Sequence, residues 1–298
     1  VHTSQDLGAA TNDPLHPQQW SDDLTPYSPV WSCGRGGGVT VAVVDTGVDG
    51  AHPDLAGRVT PGGSSLDGAA SVTSGTGSVD PNGHGTHVAG IAAATADNGV
   101  GIAGVAPGAT VLPVRVLSAS GSGWSTDVAA GIVFAADQGA DVINLSLGSG
   151  SQSTSMANAI DYAHAGGAVV LAAAGNSGPT GPTHYPAAGP NTVAVASVTS
   201  SGAISGFSTW GSFVDLAAPG SSILSTLPGG GYGYKSGTSM ATPFAAGVAA
   251  LMLDANPTMT PDQVAARLVG TANDAGPAGH DVQYGHGIID PQSAVTGL

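Results

Sequence analysis

The chain has 298 residues, with twenty acidic side chains, all Asp, against four Arg and the single lysine Lys235, for a formal net charge of −15. A surface so acidic repels nucleic acid and anionic lipid, which excludes phosphate-binding roles, and no apolar run approaches the roughly 20 residues of a membrane span. The lone cysteine, Cys33, can form neither an internal disulfide nor a cysteine-based zinc cluster, and it reads as a small buried side chain.

In chain order, residues 1–38 read as an extended, Pro-punctuated arm. Residues 1–5 carry no Lys or Arg and lead into no apolar stretch, so no signal peptide is expected within this chain. Residues 39–44 form an apolar run that predicts a buried strand. Residues 60–82 are rich in Gly, Ser and Asp and read as loop. A helix is predicted over 84–96, a strand over 110–116 and a helix over 126–138. Strand 141–146, helix 155–165 and strands 168–173 and 192–198 follow. A long Ala-rich helix over 239–255 and another over 262–271 complete the set. Continuous apolar strands alternating with helices predict a mostly parallel sheet covered on both faces, an α/β fold of three layers. No linker divides the chain, so the arm, 1–38, and the remainder, 39–298, are expected to form one domain. Such sheets act at the carboxyl ends of their strands, near helix starts.

Four short motifs fall there. Val41-Ala-Val-Val-Asp45-Thr-Gly47 ends a strand on a carboxylate. Asn82-Gly-His84-Gly-Thr-His87-Val-Ala-Gly90 opens a helix on a histidine, with small residues that allow close packing. Ala172-Ala-Ala-Gly175-Asn176-Ser-Gly178 ends a strand in a turn. Gly237-Thr-Ser239-Met-Ala-Thr-Pro243 starts the long helix, with Pro243 read as lying in its first turn. Taken singly, the Asp caps a turn, the Ser caps a helix and Gly-Asn is a turn. Together they supply a nucleophile, a base, an anion to orient the base and two donors for a developing oxyanion.

In this order the motifs resemble those of the subtilases, the subtilisin-like serine proteases, and most of all the thermitase and subtilisin types. The resemblance runs from about Asn12 to near the C-terminus and implies a three-layer subtilisin-like fold. It also implies a secreted, extracellular endopeptidase acting through an acyl-enzyme on Ser239. His84 would be the base, Asp45 its orienting anion, and Asn176 with the Ser239 N–H the oxyanion donors. The first histidine of His-Gly-Thr-His takes the catalytic role, and His87 is expected to pack inside. Two competing readings remain: a catalytically silent binding module on the same fold, and a metal hydrolase built on His84, His87 and Asp45. The second lacks the Glu of such motifs, since this chain has none.

The resemblance also implies that substrate is held by main-chain pairing along Gly121-Ser122-Gly123 and Ser146-Leu147-Gly148. The primary specificity pocket is expected between Leu147-Gly148 and Ala173-Ala-Gly175, with His184 at its floor before a cis Tyr185–Pro186 bond. Nothing charged lines those segments, so large apolar P1 residues are expected. Ser177 stands where some relatives carry Glu, which weakens any preference for basic P1. Structural calcium is implied at Asn98, with the carbonyls of Thr95, Val100 and Ile102 and the carboxylates of Asp13 and Asp54. The partners implied are protein or peptide substrates and an N-terminal propeptide removed on maturation, with neither nucleic acid nor membrane. The protein is expected to be a monomer.

Overall fold

A computed structural model describes residues 11–298. The first ten residues of the arm, where no signal peptide is expected, lie outside the described residues. The strands are β1 (Thr40–Asp45), β2 (Gly63–Ser64), β3 (Thr73–Ser74), β4 (Thr110–Arg115), β5 (Val142–Leu145), β6 (Val169–Ala173), β7 (Val193–Val198) and β8 (Leu216–Pro219). They form one eight-stranded sheet in the order β3-β2-β4-β1-β5-β6-β7-β8. Only the β2–β3 pair is antiparallel. A separate antiparallel hairpin joins β9 (Ile223–Leu227) to β10 (Gly231–Lys235). The α-helices among the described residues are α1 (Trp20–Leu24), α2 (His84–Ala93), α3 (Ser125–Asp137), α4 (Thr154–Ala165), α5 (Thr238–Ala255), α6 (Pro261–Gly270) and α7 (Pro291–Val295).

The unbroken apolar character of the central strands follows from burial on both faces. Successive strand side chains point to opposite sides. In β1, Val41 and Val43 enter a core shared with α2 and α5, while Ala42 and Val44 enter one shared with α3 and α4. In β6, Val169 and Leu171 take the first side, and Val170 and Ala172 the second. On α5, Ala241, Ala245, Ala249 and Ala250 are fully buried. Side chains this small let a long helix lie close against the sheet.

Several sequence expectations need correction. The described part of the arm is not extended: 3-10 turns at His16–Gln18 and Ser28–Ser32 flank α1. The Asp22 carboxylate accepts from the N–H groups of Tyr27 and Ser28, and the bend buries Tyr27, Val30 and Trp31 against the core. Cys33, just after the second turn, is exposed rather than buried. The stretch read as loop, 60–82, contributes β2 and β3 at the sheet edge. Helix α2 ends at Ala93, three residues earlier than expected, because the chain leaves it there to form the 95–102 loop.

Candidate active site

Asp45 is the last residue of β1 and is wholly buried, and His84 is the first residue of α2. The imidazole Nδ1 lies 2.8 and 2.9 Å from the two carboxylate oxygens. An ionised carboxylate only accepts, so Nδ1 carries the proton and Nε2 is left as the basic nitrogen. The Asp45 oxygen Oδ1 also accepts from the Thr46 N–H at 2.7 Å, which fixes the carboxylate. The close approach of α2 to the end of β1 needs glycine at position 85, because a Cβ there would collide with the Gly47 carbonyl. Burial of the ring opposes its charge, but the charge and hydrogen bond of Asp45 outweigh this and raise the His84 pKa above the ordinary 6.5.

His87 is different. It is fully buried, its Nε2–H donates to the Gly233 carbonyl at 3.0 Å, and burial pushes its pKa down to about 3. The two histidines therefore turn to different partners, one to Asp45 and one to β10, and do not converge as a ligand pair. Among the described residues no group of three His, Cys or Asp side chains is placed to hold a metal ion.

Ser239 is the second residue of α5, where backbone N–H groups have no intrahelical acceptor. Its hydroxyl donates to the Ser146 carbonyl at 3.2 Å. The Ser146 hydroxyl donates in return to the Ser239 carbonyl at 2.8 Å. Pro243 explains that second bond. It is the sixth residue of α5, not a first-turn residue as expected, so its missing N–H frees the carbonyl four residues back. That carbonyl belongs to Ser239, and Ser146 satisfies it. Asn176 follows β6, and its Oδ1 accepts from the Thr238 N–H and hydroxyl at 2.9 and 3.1 Å. With the oxygen so engaged, the amide nitrogen is the end left to donate.

A cleft of about 450 Å³ runs beside these groups. Its walls include His84, the expected Gly121, Ser122 and Gly123 on one side, and Ser146, Leu147 and Gly148 on the other. Ala173 and Gly175 lie behind the second wall, buried. The His184 ring stands between Gly148 and Gly175, where a Cβ on either would strike it, and its Nδ1–H donates to the Ala173 carbonyl at 3.1 Å. Burial lowers the His184 pKa, so the ring is neutral near pH 7. Tyr185–Pro186 is cis, as expected.

The residues singled out for calcium gather at the 95–102 loop. The Asp13 carboxylate, 2% exposed, accepts from the N–H groups of Asp97 and Asn98. Asp54, fully buried, accepts from the Ile102 N–H and the Asn98 side-chain amide. Burial raises the Asp54 pKa; burial and the charges of Asp54 and Asp13 together push the Tyr232 phenol well up. Two buried carboxylates thus both accept from Asn98, with no ion-pair partner for either among the described residues. The Thr95 hydroxyl beside them is buried without a hydrogen-bond partner. Asn98 Oδ1 accepts from the Val100 N–H in this conformation. An all-oxygen set carrying two negative charges fits a hard divalent cation.

A sequence model described as the subtilase family matches residues 36–287. The chain belongs to the subtilase family. Thermitase from Thermoactinomyces vulgaris is 50% identical over 242 residues, covering 81% of this chain and 84% of that relative. Subtilisin from Bacillus pumilus is 46% identical over 263 residues, 87% of this chain and 91% of the relative. Subtilisin E from Bacillus subtilis (strain 168) is 47% identical over 263 residues, 87% of this chain and 66% of the relative. This subtilase is a serine endopeptidase of the subtilisin type, and its mostly parallel, helix-covered sheet is the α/β architecture expected from sequence.

Some parts of the subtilase site escaped the sequence reading. Leu117, Val128 and Met156 line the cleft, and nothing in their local sequence marks them, because the end of β4, α3 and α4 bring them there by packing. Asp80 and Thr46 lie directly behind the Asp45–His84 pair. A carboxylate four residues before a helix-opening histidine is a usable signal, though Asp-Pro-Asn-Gly reads first as a turn.

Proposed function

We propose that Ser239, His84, Asp45 and Asn176 carry the peptide-bond hydrolysis of this subtilase through an acyl-enzyme. The observation that carries the reading is the bond between the His84 Nδ1–H and the wholly buried Asp45, which leaves Nε2 as the base on the cleft wall. Ser239 Oγ attacks the scissile carbonyl carbon, and its proton passes to His84 Nε2. The carbonyl oxygen becomes an oxyanion that accepts from Asn176 Nδ2 and the Ser239 N–H. The C–N bond breaks, and the leaving amine takes the proton back from Nε2. Water then attacks the ester carbon and gives a proton to Nε2; the C–Oγ bond breaks, Ser239 Oγ takes that proton back, and the carboxylic acid leaves. Asp45 stays ionised throughout and stabilises the imidazolium.

The substrate is an extended peptide paired between 121–123 and 146–148, with an uncharged, apolar P1 residue whose size is bounded by the His184 ring. Calcium is structural: Asp13, Asp54 and Asn98 hold it with the carbonyls of Thr95, Val100 and Ile102, and it ties the arm to the core without entering the chemistry. The protein acts outside the cell, as a monomer matured from a form with an N-terminal propeptide. The acidic surface, the scarcity of Lys and Arg and the lack, among the described residues, of a helix long and apolar enough to cross a membrane are compatible with this.

Ser239→Ala tests the assignment. The variant is expected to fold, to melt near the wild-type temperature and to lose hydrolysis of a peptide substrate by several orders of magnitude. Undiminished cleavage by the purified variant would defeat it and favour a different nucleophile.

A further inference from the structure

Behind the Asp45–His84 pair lies a second carboxylate that the reaction as written leaves idle. Asp80 is 7% exposed and accepts five hydrogen bonds. Its Oδ1 receives the Thr46 hydroxyl at 2.8 Å and the N–H groups of Asn82 and Gly83 at 3.0 and 2.8 Å. Its Oδ2 receives the Thr86 N–H at 2.8 Å and the Thr86 hydroxyl at 2.7 Å. Thr46 is the neighbour of Asp45, and Gly83 and Thr86 flank His84.

The start of α2 shows why this matters. Gly83, its N-cap, has no side chain to cap with. The orphan N–H groups of the first turn are met from elsewhere: His84 by Asn82 Oδ1, Gly85 by Thr46 Oγ1 and Thr86 by Asp80 Oδ2. A closed ring of bonds results, from Asp45 through Thr46 and Asp80 to the helix start, and back through His84 to Asp45.

We propose that Asp80 is a positioning residue for the Asp45–His84 pair, holding the strand end and the helix start in register and placing a second negative charge behind the imidazole. The proposal rests on His84 being the catalytic base. The ring fixes the strand end and the helix start that carry Asp45 and His84, so neither backbone can shift relative to the other without breaking bonds at Asp80. The charge acts as well. The groups facing His84 are Asp45 on β1, Asp80 before α2, Lys235 at the end of β10 and His87 one helical turn on. Burial and Lys235 favour the neutral ring, whereas Asp45 and Asp80 favour the charged one. Catalysis needs the neutral ring, and the acid limb of kcat/KM reports its protonation. Loss of the Asp80 charge therefore moves that limb to lower pH.

The test compares Asp80→Asn with Thr46→Val on a small peptide substrate, with thermal melting of each. Asp80→Asn is expected to lower kcat about ten- to a hundredfold with KM little changed, as for a misplaced catalytic group, and to move the acid limb to lower pH. Thr46→Val breaks the ring but keeps the charge, so kcat falls while the acid limb stays in place. A folded Asp80→Asn with wild-type kcat and acid limb overturns the proposal, as does a lowered melting temperature alone. If Asp80→Asn does not fold, Thr46→Val decides: a reduced kcat at unchanged KM supports the ring, and an unchanged kcat overturns it. Titration of the wild-type enzyme with a serine-directed phosphonylating reagent separates this failure from the failure of the serine mechanism itself.

Discussion

The imidazole of His184 occupies the slot between Gly148 and Gly175, with Nδ1 anchored on the Ala173 carbonyl. Two glycines that face each other would otherwise leave room for a bulky P1 side chain. His184→Gly is therefore expected to raise kcat/KM for Phe or Tyr at P1 relative to Ala by about tenfold or more, since filling apolar volume discriminates by roughly 1–3 kcal/mol. A series of peptides differing only at P1 measures this, and an unchanged ratio would show that the ring does not bound the pocket. The sequence placed His184 beside Tyr185–Pro186 but could not give the ring's direction, which depends on a carbonyl eleven residues away. Asp45, His84, Asn176 and Ser239 were legible because each sits in a short motif where a strand ends or a helix begins. Asp80 left a usable signal four residues before His84, but its bonds to Thr46 and Thr86 were not legible, because only the folded chain brings those groups to it.

The central strands and the long helices could be read from the sequence because burial on both faces leaves residues 41–44 of β1 and all of β6 apolar, and β5 apolar but for Asn144. The short edge strands β2 and β3 and the Gly-rich β10 carry no such pattern. The helical turns of the arm were missed for a related reason: each is too short to show a period, and Asp22 holds them through bonds to Tyr27 and Ser28. Pro243 could be placed in α5 but not explained, since its tolerance depends on the Ser146 hydroxyl meeting the carbonyl it frees. The 95–102 loop makes a prediction at this scale. Asp13 and Asp54 are buried carboxylates that share Asn98 as a partner, and a cation bound beside them would relieve their repulsion and add stability by mass action. Chelation is expected to lower the melting temperature while leaving hydrolysis at low temperature intact, and calcium to restore the melting temperature. Asp54→Asn is expected to blunt that response. Equal melting with and without chelator would remove calcium from the account.

Across the whole molecule, Asp45, His84, Asn176 and Ser239 are far apart in the chain, and the neighbouring parallel strands β1, β5 and β6 pair Asp45 with His84, Ser239 with Ser146 and Asn176 with the start of α5. Parallel order puts the ends of β1, β5 and β6 on one edge, where α2 and α5 begin. Asp45 ends β1, Ser146 follows β5 and Asn176 follows β6, so one edge carries the proposed orienting anion, the carbonyl partner of Ser239 and the proposed oxyanion donor. The helix starts add His84 and Ser239, the proposed base and nucleophile. The central claim is that this edge makes one serine nucleophile out of many hydroxyls. The most direct test is the intact mass and peptide map of the wild-type protein after treatment with a phosphonylating reagent. One adduct per chain is expected, on Ser239, with hydrolysis lost in proportion to labelling. Full hydrolytic activity with Ser239 unlabelled, or inactivation by an adduct on another residue, would contradict it.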